Sequence, residues 1–139
     1  MSTPPRRWPF LVTLAVALLL AACSSTAGAP SPPAVPGTGL AITAIAGPVC
    51  PVEQVPPDPA CAPRPVVGAT VLVLDGQGTT VATLVTDAAG TALIDLPAGD
   101  YVVQGQPVNG LMGTAAPVNV IVVEGTTTPV ALAYDTGIR

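Results

Sequence analysis

Short runs of β-branched residues, separated by turn residues, recur from Leu40 to the end of the chain and most strongly constrain its fold. Within these runs, residues with period two can share one buried face, as expected of strands packed on a core. No helical repeat competes with this pattern. We therefore predict strands at residues 40–46, 69–75, 80–86, 91–96, 101–105, 117–123 and 128–134.

The same alternation predicts which side chains face the core. It assigns an inward face to Val71, Val73, Ala92, Ile94, Leu96, Val118, Val120, Val122, Val130, Leu132 and Tyr134. Turn residues lie between the runs at 75–78, 87–90 and 124–125, where Asp, Glu and Gly favour chain reversal. Pro129 favours an edge strand or the start of a strand. A domain of this size with short strands and regular turns predicts an all-β sandwich with a single core.

Two motifs in this stretch carry a resemblance to a known family. They are Thr86-Asp87-Ala88-Ala89-Gly90 and Leu96-Pro97-Ala98-Gly99-Asp100-Tyr101. Together they resemble the carboxypeptidase regulatory-like domain, which implies a seven-stranded, transthyretin-like (prealbumin-type) sandwich over roughly Ala41 to Tyr134. The Cys50 to Cys61 loop and the last residues, Tyr134-Asp135-Thr136-Gly137-Ile138-Arg139, also resemble small secreted actinobacterial proteins that carry this domain. The absence of Lys, with abundant Ala and Pro, fits a high-GC genome. Ala92 departs from the family, which usually has an aromatic residue there.

The amino-terminal residues have the pattern of a secretory signal. Arg6 and Arg7 precede an apolar run from Phe10 to Leu20, which is too short to span a bilayer that needs about 20 residues. The run ends in Leu20-Ala21-Ala22-Cys23, which resembles the lipobox of bacterial lipoproteins. This resemblance implies cleavage before Cys23, a lipid on its thiol, and attachment to the extracytoplasmic face of the cell membrane. An ordinary signal with a free thiol remains the alternative, and both the general and the twin-arginine export routes stay open.

The residues after Cys23 lack the apolar side chains that folding requires. They are almost entirely Ser, Thr, Ala, Gly and Pro, which predicts a disordered tether. The expected division is a cleaved signal at 1–22, a lipidated and disordered linker at 23–38, and a β-sandwich at 39–139. If lipid occupies Cys23, Cys50 and Cys61 remain as a pair in an oxidising compartment. We predict a disulfide between them.

Composition excludes several classes of function. The net charge is −4, and after loss of residues 1–22 two Arg face eight acidic residues, so no basic patch exists to bind nucleic acid. Residues 40–139 contain no His, Lys or Ser, so we expect no enzyme and no cofactor.

Asp75 and Asp87 are weak candidates for a Ca²⁺ site, because turn carboxylates can gather oxygen ligands. Tyr101 and Tyr134 fit inward strand positions better than a sugar-binding platform.

The sequence thus predicts a non-catalytic, membrane-anchored lipoprotein whose sandwich binds or supports another component of the cell envelope. An edge strand or two loops would provide the contact. One loop carries Val55, and the other, residues 106–116, carries Leu111 and Met112. Leu111 and Met112 could instead fold back over the open end of the sandwich. A module that binds a small ligand or ion, either Ca²⁺ or a glycan, is the alternative function.

Overall fold

A computed structural model describes residues 35–52 and 55–139 of the chain. The predicted signal peptide, Cys23 and most of the predicted tether lie outside these residues. Among the described residues, no helix is both long and apolar enough to cross a membrane.

The described chain is almost entirely strand. Its elements are β1 (Gly39–Gly47), β2 (Arg64–Pro65), β3 (Thr70–Asp75), β4 (Thr80–Val85), β5 (Thr91–Asp95), β6 (Gly99–Gly105), β7 (Val118–Val122) and β8 (Thr127–Asp135). All seven predicted strands are present, and the all-β sandwich is confirmed. The two-residue β2 and a single 3₁₀ turn at Pro59–Cys61 were not predicted, since neither carries a periodic pattern.

The strands form two sheets. In the first, β1 is central: β8 runs parallel to it from Gly39↔Thr127 to Gly47↔Asp135, along its whole length. β5 and β2 pair antiparallel with the first and last parts of β1. A strand has only two edges, so β5 and β2 share the edge opposite β8. The second sheet has the order β4-β3-β6-β7 and is antiparallel throughout.

The core lies between the sheets and is built from small aliphatic side chains. Its fully buried members include Leu40, Ile42, Val71, Val73, Val103, Leu132 and Tyr134. The predicted inward positions are buried or pack partly buried against this cluster, Ala92 and Ile94 among the latter. The alternation of strand side chains therefore predicted the core correctly.

Two buried threonines use their hydroxyls to join separate segments. Thr38, the last residue of the predicted tether, is fully buried, and its Oγ1 accepts the N–H of Gly125 at 2.7 Å. Thr86 accepts the N–H of Ala69 at 2.9 Å and donates to the carbonyl of Val66 at 2.6 Å. These bonds satisfy polar groups that would otherwise be costly to bury.

The parallel β1–β8 pair gives the sandwich two distinct ends. β1 begins at Gly39, directly after Thr38, and we call this the tether end. Both β1 and β8 finish at the opposite end, where the disulfide segment and the carboxyl-terminal residues begin. We call it the loop end. With nine residues in β1, the two ends are separated by about 30 Å.

Candidate interaction surface at the loop end

A disulfide joins Cys50 and Cys61 at the loop end, which confirms the predicted pairing. The two Cα atoms lie 5.3 Å apart, within the usual range for a bridge. Asp58 caps the turn Pro59–Cys61, because its carboxylate accepts a backbone N–H of that turn at 2.9 Å. Within the bridged segment the side chain of Val55 is 97% exposed. The bridge therefore anchors a segment that presents an apolar side chain to solvent.

The two apolar residues of the loop at 106–116 have different environments. Leu111 is half-buried and packs against the core. Met112 donates its N–H to the carbonyl of Asp135 at 2.7 Å, which ties the loop to the end of β8. Its side chain lies beside Gly137 and remains 63% exposed. Leu111 thus helps to close the end of the sandwich, whereas Met112 faces outward.

A cavity of about 450 Å³ lies at the same end. It is lined by Ala46, Val49, Arg64, Pro65, Val66, Val67, Val108, Asn109, Leu111, Thr136 and Ile138. Most of these side chains are aliphatic, and Arg64 supplies the one charged group of the lining. Such a surface can hold an apolar side chain while the Arg64 guanidinium donates a hydrogen bond to a polar group of the bound molecule, or the Asn109 amide donates or accepts one.

The carboxyl-terminal residues that border this cavity are fixed by Asp135 and Thr136. Asp135 accepts the N–H of Gly137 at 2.7 Å and forms a two-pronged ion pair with Arg139, with contacts of 3.1 and 2.7 Å. The Arg139 hydrogen bonds, followed by the Gly137 N–H, lower the pKa of Asp135 to about 2. Thr136 donates its hydroxyl to the carbonyl of Pro48. The tail is thereby held against the segment that follows β1.

The two aspartates predicted as weak Ca²⁺ ligands lie at different ends of the sandwich. Asp75 is near the tether end, where it pairs with Tyr101 in the adjacent strand. Its Oδ1 accepts the N–H groups of Gln77 and Thr79, both at 2.9 Å. This carboxylate therefore closes the turn between β3 and β4.

Asp87 has the equivalent role in the turn between β4 and β5, toward the loop end. Its Oδ1 accepts the N–H groups of Ala89 and Thr91, and its Oδ2 accepts the Thr91 hydroxyl at 2.8 Å. The bonds from Thr91 are the main reason that the pKa of Asp87 is lowered. Across residues 35–52 and 55–139, no three His, Cys, Asp or Glu side chains come together as a metal site. Both carboxylates thus serve turns.

The two tyrosines of the domain pack inward, as the strand register predicts. Tyr134 is buried, and its hydroxyl donates to the carbonyl of Gln106 at 3.1 Å. Tyr101 is half-buried and donates to the carbonyl of Pro97 at 3.0 Å. Burial raises the pKa of both phenols, and the Asp75 charge raises that of Tyr101 further. Neither ring forms an exposed platform for a sugar.

Sequence reasoning identified the loops of this surface but not its cavity. Val49, Arg64 and Ile138 line the cavity although they are far apart in sequence and belong to no motif. Only Arg64 offered a signal, since it is one of two cations that remain after residue 22. The convergence of these residues depends on the parallel pairing of β1 with β8, which strand periodicity alone does not reveal.

The fold and the loop end define a two-sheet β-sandwich that presents apolar loops at one end. No protein-family model and no curated protein sequence matches the chain. Solved structures with the same fold do exist. The minor pilin GBS52 of Streptococcus agalactiae has a TM-score of 0.54 at 19% identity, and the shaft pilin SpaA of Lactobacillus rhamnosus GG has 0.53 at 12%. The Bacillus anthracis TIE protein has 0.50 at 18% identity.

The alignment with GBS52 covers 71% of this chain and 44% of that pilin. The alignment with SpaA covers 70% of this chain and 50% of SpaA, and the alignment with the TIE protein covers 70% of this chain and 17% of the TIE protein. The chain therefore spans half or less of the length of the structures it resembles. At these identities the likeness shows a shared β-sandwich fold.

Proposed function

We propose that this protein is a non-catalytic lipoprotein, anchored at the extracytoplasmic face of the cell membrane, whose sandwich binds or supports another protein of the cell envelope. The anchor is a lipid on Cys23, followed by the linker at 23–38 and the domain at 39–139. The actinobacterial origin and the carboxypeptidase regulatory-like, transthyretin-like family belong to the same proposal. The turn and strand motifs and the β-sandwich fold support the family, and the Cys50 to Cys61 loop, the last residues and the absence of Lys support the origin.

The observation that carries the proposal is the position of the apolar loop end. The tether joins the sandwich at Gly39, whereas Val55, Met112 and the cavity lie at the other end of β1. In a chain anchored through Cys23, the linker would join the sandwich at the tether end and leave the loop end accessible to a partner. Exposed apolar side chains beside a cavity are typical of surfaces that bind proteins.

The chemistry of the domain supports a binding role over a catalytic one. Residues 40–139 lack His, Lys and Ser, and both of their cysteines are in the disulfide. The carboxylates of Asp75 and Asp87 are committed to turns. Two of the similar solved structures are pilins by name, which supports assignment to the cell surface.

The anchor is tested by intact-mass analysis of the protein from cell membranes. We expect a chain that begins at Cys23 and carries the added mass of a lipid, and we expect Cys23→Ser to abolish that mass and release the protein. A variant with both Cys50 and Cys61 replaced by Ser is the matched control and should stay acylated. An unmodified thiol at Cys23 would contradict the proposed anchor.

The binding role is tested by a photo-reactive amino acid placed in living cells at Met112 or Val55, followed by mass spectrometry of the adducts. We expect one dominant envelope protein from both positions. Ile121, which is 65% exposed on β7, is the matched control and should not capture it. Equal capture from all three positions, or none from Met112 and Val55, would contradict a partner at the loop end.

A further inference from the structure

The two sheets leave five strands with an unpaired edge: β4 and β7 in one sheet, and β8, β5 and β2 in the other. β2 consists only of Arg64 and Pro65, a charged residue and a proline. β7 and β8 flank the same side, where the Thr128 hydroxyl of β8 donates to the Ile121 carbonyl of β7 at 3.4 Å. β8 also contains Pro129, and β5 ends in Asp95, both features that discourage further pairing. β4 carries neither a proline nor a charge, and no other strand of the described chain covers its open edge.

β4 has the sequence Thr-Val-Ala-Thr-Leu-Val, without a charge or a proline. Val81 is 45% and Val85 is 63% exposed, so the strand presents valines on its solvent face. The irregularity in its pairing with β3 occurs near Val81, which leaves Ala82–Val85 in regular register. Edge strands that are apolar and uncharged are those that pair with additional strands.

The orientation of the free backbone groups follows from Thr86, just beyond β4. Both its N–H and its C=O point toward the β3 side, where they bond to Ala69 at 3.0 Å and to Gly68 at 2.9 Å. Alternate residues of an antiparallel strand turn their backbone groups to opposite edges. Leu84 and Ala82 therefore face β3, while Val85 and Thr83 direct their N–H and C=O groups to the open edge.

This edge is complementary to itself. A two-fold axis at Thr83 pairs Thr83 with its own copy and places Ala82 opposite Leu84, small against large, on the core-facing side. Antiparallel pairs of this kind stabilise a sheet. β4 itself carries no charge, so no like charges are placed opposite each other within the paired strands.

We propose that a second copy of this chain binds at β4, so that two four-stranded sheets join into one continuous eight-stranded sheet about a two-fold axis. Thr83 lies at the axis and exchanges backbone hydrogen bonds with the partner's Thr83. The contact lies apart from the cavity and from Met112. It does not depend on the lipid anchor or on any partner at the loop end.

The test is sedimentation equilibrium of the full-length protein in detergent. We expect a dimer whose dissociation constant rises roughly tenfold or more in Thr83→Lys, because two like charges would then face each other across the axis. Asn119→Lys, on the exposed face of the β7 edge, adds the same charge and should leave the dimer intact. Circular dichroism should show unchanged strand content in both variants, since both side chains are solvent-exposed.

A second measurement tests whether Thr83 lies opposite its own copy in the dimer. Thr83→Cys should form an intermolecular disulfide under mild oxidation, because directly opposed residues of an antiparallel pair have Cα atoms about 5.5 Å apart. Asn119→Cys is the control and should not. A wild-type monomer at about 100 μM, a dimer unaffected by Thr83→Lys, or Thr83→Cys adducts only with a different protein would each overturn the proposal.

Discussion

Replacement of the buried Thr86 by valine tests how far this small-residue core depends on one hydroxyl. Thr86 lies where β4 leaves the sheet, with 3% of its surface exposed. Its Oγ1 accepts from the N–H of Ala69 and donates to the carbonyl of Val66. Valine has almost the same shape, so the substitution removes both hydrogen bonds while leaving the packing nearly unchanged.

The expected cost follows from the two backbone groups that lose their partner. Ala69 is fully buried and Val66 is 5% exposed, so water has little access to either group. A buried polar group left unpaired costs about 1–3 kcal/mol, so the two groups together, less about 1 kcal/mol gained from the added methyl, give about 1–5 kcal/mol. Thr86→Ser keeps the hydroxyl and loses one methyl, so it should cost about 1 kcal/mol.

Urea unfolding followed by far-ultraviolet circular dichroism measures both variants against the wild type. Thr86→Val removes the hydroxyl and keeps the shape, whereas Thr86→Ser keeps the hydroxyl and removes the methyl, so the two variants separate the contributions of the two groups. An equal cost for the two variants, or a loss below about 0.5 kcal/mol for Thr86→Val, would refute the assigned role of these hydrogen bonds.

Three other predictions concern the disulfide, the tail and the core. Reducing the disulfide, which links residues 11 apart, should lower the free energy of unfolding by about 3 kcal/mol, less any stiffness contributed by the loop prolines; an unchanged urea midpoint in reductant would contradict this. Because the pKa of Asp135 is lowered from 3.8 to about 2, its contribution to stability should persist above pH 3.8 and disappear as the pH falls through about 2. Arg139→Gln should raise this pKa in an NMR titration, and a pKa that did not move would exclude the ion pair as its cause. Gly105→Ala should cost about 1–3 kcal/mol, because the new Cβ would meet the Tyr134 hydroxyl, and less when combined with Tyr134→Phe.

The strands and their buried faces could be predicted because both depend on local alternation. Val71 and Val73, for example, share one face of β3 and are both fully buried. The turn at Asp87 could be predicted for the same reason, since its carboxylate accepts hydrogen bonds only from residues within four positions along the chain. Local features of this kind need no knowledge of which strands become neighbours.

Long-range features could not be predicted in the same way. The parallel alignment of β1 with β8 joins residues about 90 positions apart, and nothing in either strand specifies its partner. The cavity shares this origin, since its lining comes from four separate segments. Thr38 is a further example: it closes a polar, Pro-rich stretch, yet the approach of Gly125 makes it part of the core.

The alignment of β1 with β8 also determines how the domain would respond to mechanical tension. β1 begins at the tether end and β8 finishes at the loop end, and nine pairs of opposed residues connect the two strands. A pull on the two termini would act along this ladder in shear, so the hydrogen bonds would carry the load together instead of opening one after another. A module loaded in this direction should resist extension far better than one whose terminal strands unzip from a common end.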